Sequence, residues 1–332
     1  MRPARSIIGL TILVLTLGLG LSACRDDESW NRAVRADDGT RVSQVRRNAE
    51  TRQASRTVSD RQRERRARRD RTSRRLGRDG GRLLPHFADY AVHETGFATT
   101  RFKSAHGTLT VELIDDCGDW TLQEKWDLDL RDQDDRSHPS NLLYRASEVS
   151  SAGKFVFAYS RDHLGERTDY IGDVLEIDGG FLARFQTPEI ADEYMEPGLV
   201  FPVTHLRQTL AEARRERTGF EAFVFDGGNA FPYRAVTTIS QPRRPDDRNQ
   251  RVVAARTELD VQTSDRLPDG RHWPVRVEYF PPNDAYAPPV FVREFLLHES
   301  GVVLSFHFDY GDIQMDARLK NLDIREPRPC PN

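Results

Sequence analysis

From about Leu84 onward, apolar and polar residues alternate with a period of two, and this pattern restricts the folded part of the chain to β-sheet. In the run Lys154-Phe155-Val156-Phe157-Ala158-Tyr159-Ser160, the rings of Phe155, Phe157 and Tyr159 fall on one face of a strand. Thr110–Leu113 and Trp120–Leu130 alternate in the same way, and Trp120 and Trp126, three two-residue steps apart, share a face. Further strands are expected over 87–94, 142–149, 167–177, 181–187, 219–226, 230–240, 251–262, 273–280 and 313–324. Phe295–His298 and Val302–Phe308 form a hairpin across Glu299-Ser300-Gly301, and Asp178-Gly179-Gly180, Asp226-Gly227-Gly228 and Pro281-Pro282 are further breaks. Many short strands with Gly, Asp or Pro turns imply an antiparallel barrel, sandwich or curled sheet, and they exclude the alternating units of a Rossmann fold.

One segment departs from this period. Over Thr204–Glu216, Leu206, Leu210 and Ala213 share a helical face, with Pro202 near the start and Gly219 just beyond the end. The expected architecture is mainly β: one antiparallel meander whose edge or open end is covered by this principal helix. Residues 241–250, rich in Pro, Arg and Asp, read as a polar interruption in a hairpin loop.

Charge divides the chain more sharply than its net value of -3 suggests. Residues 1–24 carry Arg2 and Arg5 and no acid, residues 25–82 carry 19 arginines against 10 acids, and the remaining 250 residues hold 28 basic and 42 acidic groups. Arg2 and Arg5 precede an uncharged apolar run from Ile7 to Leu21, which reads as a secretory signal and is short for a bilayer span of roughly 20 residues. Leu21-Ser22-Ala23-Cys24 resembles the lipobox of bacterial lipoproteins. That resemblance implies cleavage before Cys24 and lipid attachment to it, and acyl chains together give firm anchoring at about 0.8 kcal/mol per buried methylene. Arg25 stands where many inner-membrane lipoproteins carry aspartate, so attachment to the outer membrane, facing the periplasm, is expected.

Residues 1–23 are thus read as a signal peptide, 24–83 as an arginine-rich tether and 84–332 as the β domain. Within 61–71 no apolar residue is larger than alanine, a composition that favours a solvated chain. Such a run can neutralise phosphates, but it carries no interleaved aromatic platform, and an exported chain meets little nucleic acid. Nucleic acid is therefore not an expected partner; the membrane, through the N-terminal lipid, is.

Setting Cys24 aside leaves Cys117 and Cys330, 213 residues apart, as an even pair in a disulfide-permitting compartment. A bridge is the first reading and two free thiols the second; the absence of Cys-x-x-Cys argues against a redox-active pair.

Four segments of residues 84–331 resemble the EipB-like family of periplasmic envelope-integrity proteins: Asp116-Cys117-Gly118-Asp119-Trp120-Thr121, Phe201-Pro202-Val203-Thr204-His205, Phe225-Asp226-Gly227 and Asp309-Tyr310-Gly311-Asp312. The resemblance implies an open, spiralled, barrel-like sheet with a helix, a bridge between Cys117 and Cys330, and a role in maintaining the cell envelope without established catalytic residues. The tether and the lipobox-like Cys24 depart from the family's simpler soluble pattern.

Candidate cleft or motif residues are Trp120, His205, Asp309, Tyr310 and Asp312. Asp309 and Asp312 bracket Tyr310-Gly311, where a turn is favoured over acid and base catalysis. His307 and Asp309 share a strand face with His298 across the hairpin, a grouping too loose for a metal centre. His86 and His93 are expected on opposite faces of one strand. HExxH, GxSxG and GxxxxGK[ST] are all absent from the chain. No cofactor is expected, and a noncatalytic envelope lipoprotein that binds a lipid, peptide or protein in or beside an open cylinder is the leading expectation. A homodimer is carried as a further partner arrangement, and a hydrolase acting on a cell-wall or lipid substrate is the alternative function.

Overall fold

Fifteen strands of one sheet occupy most of the residues described by the computed structural model, which are 83–97, 101–242, 267, 270–282, 287–311, 313–325 and 330. The first seven strands are β1 (His86–Phe97), β2 (Phe102–Asp116), β3 (Asp119–Asp132), β4 (Ser137–Val149), β5 (Lys154–His163), β6 (Glu166–Ile177) and β7 (Gly180–Thr187). Two short strands, β8 (Glu193–Met195) and β9 (Leu199–Val200), precede helix α1 (Pro202–Arg214). The chain then forms β10 (Gly219–Val224), β11 (Tyr233–Ile239), β12 (His272–Phe280), β13 (Phe291–His298), β14 (Val303–Asp309) and β15 (Ile313–Ile324). The strand expected at 251–262, the signal, the tether up to residue 82 and Asp312 lie outside the described residues, whereas Leu83, the last residue assigned to the tether, is buried in the core.

In spatial order the sheet runs from β8 back to β1, across to β15, and back to β9. Every pairing is antiparallel except β9 with β10. The first and last strands are therefore neighbours, registered from His86 opposite Ile324 to Phe97 opposite Ile313. The two free edges belong to strands separated only by Glu196-Pro197-Gly198, so the break in this nearly closed, spiralled sheet lies in mid-chain. Packing closes what hydrogen bonding leaves open. Met195 of β8, Leu199 of β9, Phe181 and Phe185 of β7, and Phe225 beyond β10 share one buried cluster with Phe155 and Phe157. Phe225 meets Phe157 edge to face at 5.5 Å, and Phe201 stacks on Phe155 at 4.3 Å. At Gly227 φ is +80°, and a Cβ would come within 2.3 Å of Phe157 Cγ, so only glycine fits against this cluster.

Strand period sets inside from outside. Along β3, Leu122, Trp126 and Leu128 pack on the apolar interior, whereas Lys125 and Asp127 form an ion pair on the outer face. A charged outer wall is the reverse of a lipid-embedded barrel, whose outward positions are apolar. The helix fills one end of the cylinder: Val203, Leu210 and Ala213 are buried against Leu113, Trp120, Trp273, Val275 and Leu297 from four strands. At the same end, the β2–β3 turn carries Cys117, in the left-handed region at φ 58°, joined by a disulfide to Cys330.

Candidate functional site

The helix forms the floor of a cavity of about 640 Å³ that runs along the cylinder between α1 and the opposite rim. That volume lies within the usual range for small-ligand sites, roughly 300–1,000 Å³. Its position depends on how the helix begins. Phe201 has extended backbone and no side-chain cap, and Pro202 follows at the first turn. The cap comes instead from across the sheet: Glu148, near the end of β4, accepts bonds from Val203 N (2.6 Å), Thr204 N (3.0 Å) and Thr204 Oγ1 (2.5 Å). A carboxyl group at this terminus complements the helix dipole and satisfies N–H groups that have no helical partner. Burial pushes the Glu148 carboxyl up, and the bonds from Thr204 and Val203 oppose that shift.

Above the floor lies a polar belt. Strand phase brings Glu124 of β3 opposite Tyr144 of β4, which is opposite Tyr159 of β5. Across the cavity, Arg293 of β13 reaches Glu124 at 3.9 Å. Burial acts against the Arg293 charge, and the field of Glu124, supported by Tyr279, Tyr310 and Asp226, outweighs it and holds the guanidinium firmly charged. Asp226 accepts a bond from Gly228 N at 2.9 Å, and burial raises its carboxyl above the usual range. The Tyr144 phenol is 7% exposed, and burial raises its pKa, aided by the fields of Asp226, Glu124 and Glu148. Neither Tyr144 Oη nor Arg293 Nε has a hydrogen-bond partner among the described residues.

Toward the rim the lining becomes apolar again, with Leu128, Leu130, Leu142, Phe291, Ile313 and Met315. Arg161, His163 and Ser140 stand among them, and Ser140 Oγ lies 2.7 Å from His163 Nδ1 across the β4–β5 pair. Val290 and Tyr310 expose large side chains at this end.

The motif residues divide by role. His205 and Tyr310 line opposite ends of the cavity. The His205 Nε2 meets Thr237 Oγ1 at 3.0 Å, and burial, with the Arg293 field, lowers its pKa to about 4, so the ring is neutral. Burial raises the Tyr310 phenol to about 12, Arg293 opposing the shift and Glu124 adding to it. Trp120 packs beneath the floor and Trp126 lines the cavity, stacked edge to face on Phe308 at 4.8 Å. Asp309 holds the turn, accepting bonds from Gly311 N at 2.8 Å and Gln314 Nε2 at 3.1 Å. The histidines separate: His298 bonds to Ser300, and His307 pairs with Asp316 at 2.7 Å. No group of three His, Cys, Asp or Glu suited to a metal occurs among the described residues. His86 is buried and lines the cavity, as does Tyr90 in the same strand phase, with His93 on the alternate phase.

Sequence reading missed the belt and the cap. The available signal was a charge in the apolar phase: Glu124 lies between Leu122 and Trp126, and Arg293 between Phe291 and Phe295.

Comparison with known proteins adds three findings. The family model described as EipB-like matches residues 78–326. The cell envelope integrity protein EipB of Brucella abortus (strain 2308) is 23% identical over 157 residues, covering 46% of this chain and 51% of that protein. The chain thus spans about half the length of this curated relative. The crystal structure of a beta-barrel-like protein with a domain of unknown function, also from Brucella abortus, is similar with a TM-score of 0.62 and 18% identity, over 74% of this chain and 100% of that chain. That similarity is one of fold.

Proposed function

The chain belongs to the EipB-like family, and we propose that it is a noncatalytic protein of the periplasmic side of the cell envelope that supports envelope integrity by holding a guest in its cylinder. The observation that carries this reading is the cavity of about 640 Å³, walled by apolar and aromatic side chains around a few convergent polar groups. The curated relative bears the description cell envelope integrity protein, which supports the cellular role. A signal-like start, the lipobox-like Cys24 and the charged outer face support a domain that stands in the periplasm on an arginine-rich tether, anchored to the outer membrane through lipid. Its guest is a lipid or a peptide, with a second envelope protein or a second copy of the chain as alternative partners. Native extraction followed by mass spectrometry of the intact protein is expected to find a stoichiometric guest. Guest-free protein under every near-native condition would overturn the proposal.

A hydrolase acting on a cell-wall or lipid substrate is the second reading, and the observation that favours it is the Ser140–His163 pair at the rim. A hydroxyl beside an imidazole is the start of a nucleophile–base arrangement, which acyl transfer completes with an orienting group and oxyanion donors. Ester turnover that disappears in Ser140→Ala, with the fold intact, would establish it.

A further inference from the structure

Two buried donors of the cavity lining, Tyr144 Oη and Arg293 Nε, have no hydrogen-bond partner among the described residues, and both flank Glu124. Leaving such groups unpaired is costly, so a site that keeps them is built to receive an acceptor. Arg293 lines the cavity with its side chain 27% exposed, while Nε itself, like Tyr144 Oη, is buried in the wall, so a guest that bonds them must seat its acceptor against that wall.

The charge balance selects the kind of acceptor. Arg293 already faces the two carboxyl groups of Glu124 and Asp226, with Arg161 the second guanidinium of the cavity toward the rim, so a carboxylate or phosphate held at Arg293 would add a third acid beside that pair. A peptide fits poorly for the converse reason. Its many N–H groups need acceptors, and the walls on either side of the belt's two carboxyl groups are mostly apolar. Above and below the belt the walls are aliphatic and aromatic, including Leu122 toward the floor and Leu128 and Ile313 toward the rim. We infer that the cavity takes an acyl ester of a lipid, with its neutral carbonyl oxygen at Tyr144 Oη and Arg293 Nε and its hydrocarbon along the apolar walls. This inference rests on the guest-holding function proposed above. It also separates binding from the hydrolytic reading: Ser140 is four residues along β4 from Tyr144, roughly 13 Å at strand rise, too far to attack a carbonyl held in the belt.

The test uses the full chain, stripped of endogenous lipid, and a hydrocarbon dye, diphenylhexatriene, displaced by 1-monooleoylglycerol, oleate or oleyl alcohol at about pH 7.5. Monooleoylglycerol is expected to bind about tenfold more tightly than either oleate or the alcohol. Tyr144→Phe, which removes only the unpaired hydroxyl, is expected to abolish that preference while dye binding is unchanged. The charge-balanced double variant Arg293→Met with Glu124→Leu provides the second comparison and is expected to do the same. Dye entry with oleate preferred, or with both variants as selective as the parent, overturns this inference and leaves the guest-holding function standing. Failure of the dye and all three lipids to enter overturns both.

Discussion

Met195 and Leu199 stand four residues apart in the chain on opposite free edges of one fifteen-stranded sheet. The cylinder is thus broken where the chain is continuous and paired where the chain begins and ends, and it is held shut at the break by aromatic packing. Phe225 is 0% exposed at the centre of that packing, in contact with Phe155, Phe157 and Phe185. Phe225→Ala is expected to cost about 4 kcal/mol. Urea unfolding should show it, and a loss below 1 kcal/mol would mean that the break is not closed by this cluster.

The helix start gives a second prediction. Glu148→Ala removes the acceptor for Val203 N and Thr204 N, and should destabilise the protein by about 2–3 kcal/mol. Glu148→Gln, which keeps one acceptor oxygen, should lose less. Equal losses in the two variants would show that an isosteric amide cannot hold the helix start, so that the carboxylate as a whole, not one acceptor oxygen or the volume it fills, sets the cost.

Serine at Cys117 or Cys330 should lower stability through the unfolded state. Closing a loop of 213 residues carries about 5 kcal/mol in the loop-entropy account, an upper value where the unfolded chain keeps structure. Nonreducing peptide mapping of the exported protein should recover the two cysteines linked, and thermal melts with and without reductant should differ by the same sign and order as the serine variants.

Acid lability follows from His205. Its folded pKa is about 4, lowered first by burial and then by Arg293, against an ordinary 6.5. Between those values the unfolded chain binds a proton that the folded chain refuses, so stability is lost as pH falls from about 6.5 toward 4, by on the order of 3 kcal/mol. Burial lowers the His86 pKa as well, which acts in the same direction. The raised carboxyls of Glu148 and Asp226 act in the opposite one, so the His205 contribution is read from the difference between parent and variant. Denaturant midpoints of the parent should lose more on acidification across that range than those of His205→Gln; an identical pH dependence in the two would place the titration elsewhere.

Much of the fold was legible because strand phase is a property of the residues themselves. The expected strands 167–177 and 181–187 and the helix near 204–216 match β6, β7 and α1 within a few residues. β8 and β9 were not legible: three and two residues carry too little alternation, and they are strands only because β7 and β10 lie beside them. The cap on α1 escaped for a related reason. Its carboxyl group comes from Glu148, 55 residues before Val203, and the helix's own Phe201 contributes no side-chain cap. His205 and Tyr310 were found through motif resemblance, but the belt between them joins β3, β4 and β13, which no single stretch of sequence places together.

Glu124 and Arg293 offer the sharpest energetic test, because their pairing is both loose and secluded. At 3.9 Å the attraction is modest, whereas either charge alone would remain in a cavity bordered by Leu122, Leu128 and Phe291. Removing one partner from a buried pair typically costs about 3–5 kcal/mol, and removing both for apolar side chains of similar size is often near neutral. Glu124→Leu should therefore destabilise strongly, since the charge on Arg293 is kept against burial chiefly by Glu124. The double variant with Arg293→Met should recover most of the loss. A double-mutant cycle by urea unfolding measures the coupling directly. Additive losses would show that the two side chains act independently, each solvated through the cavity, and that the belt is wet enough to support an isolated charge.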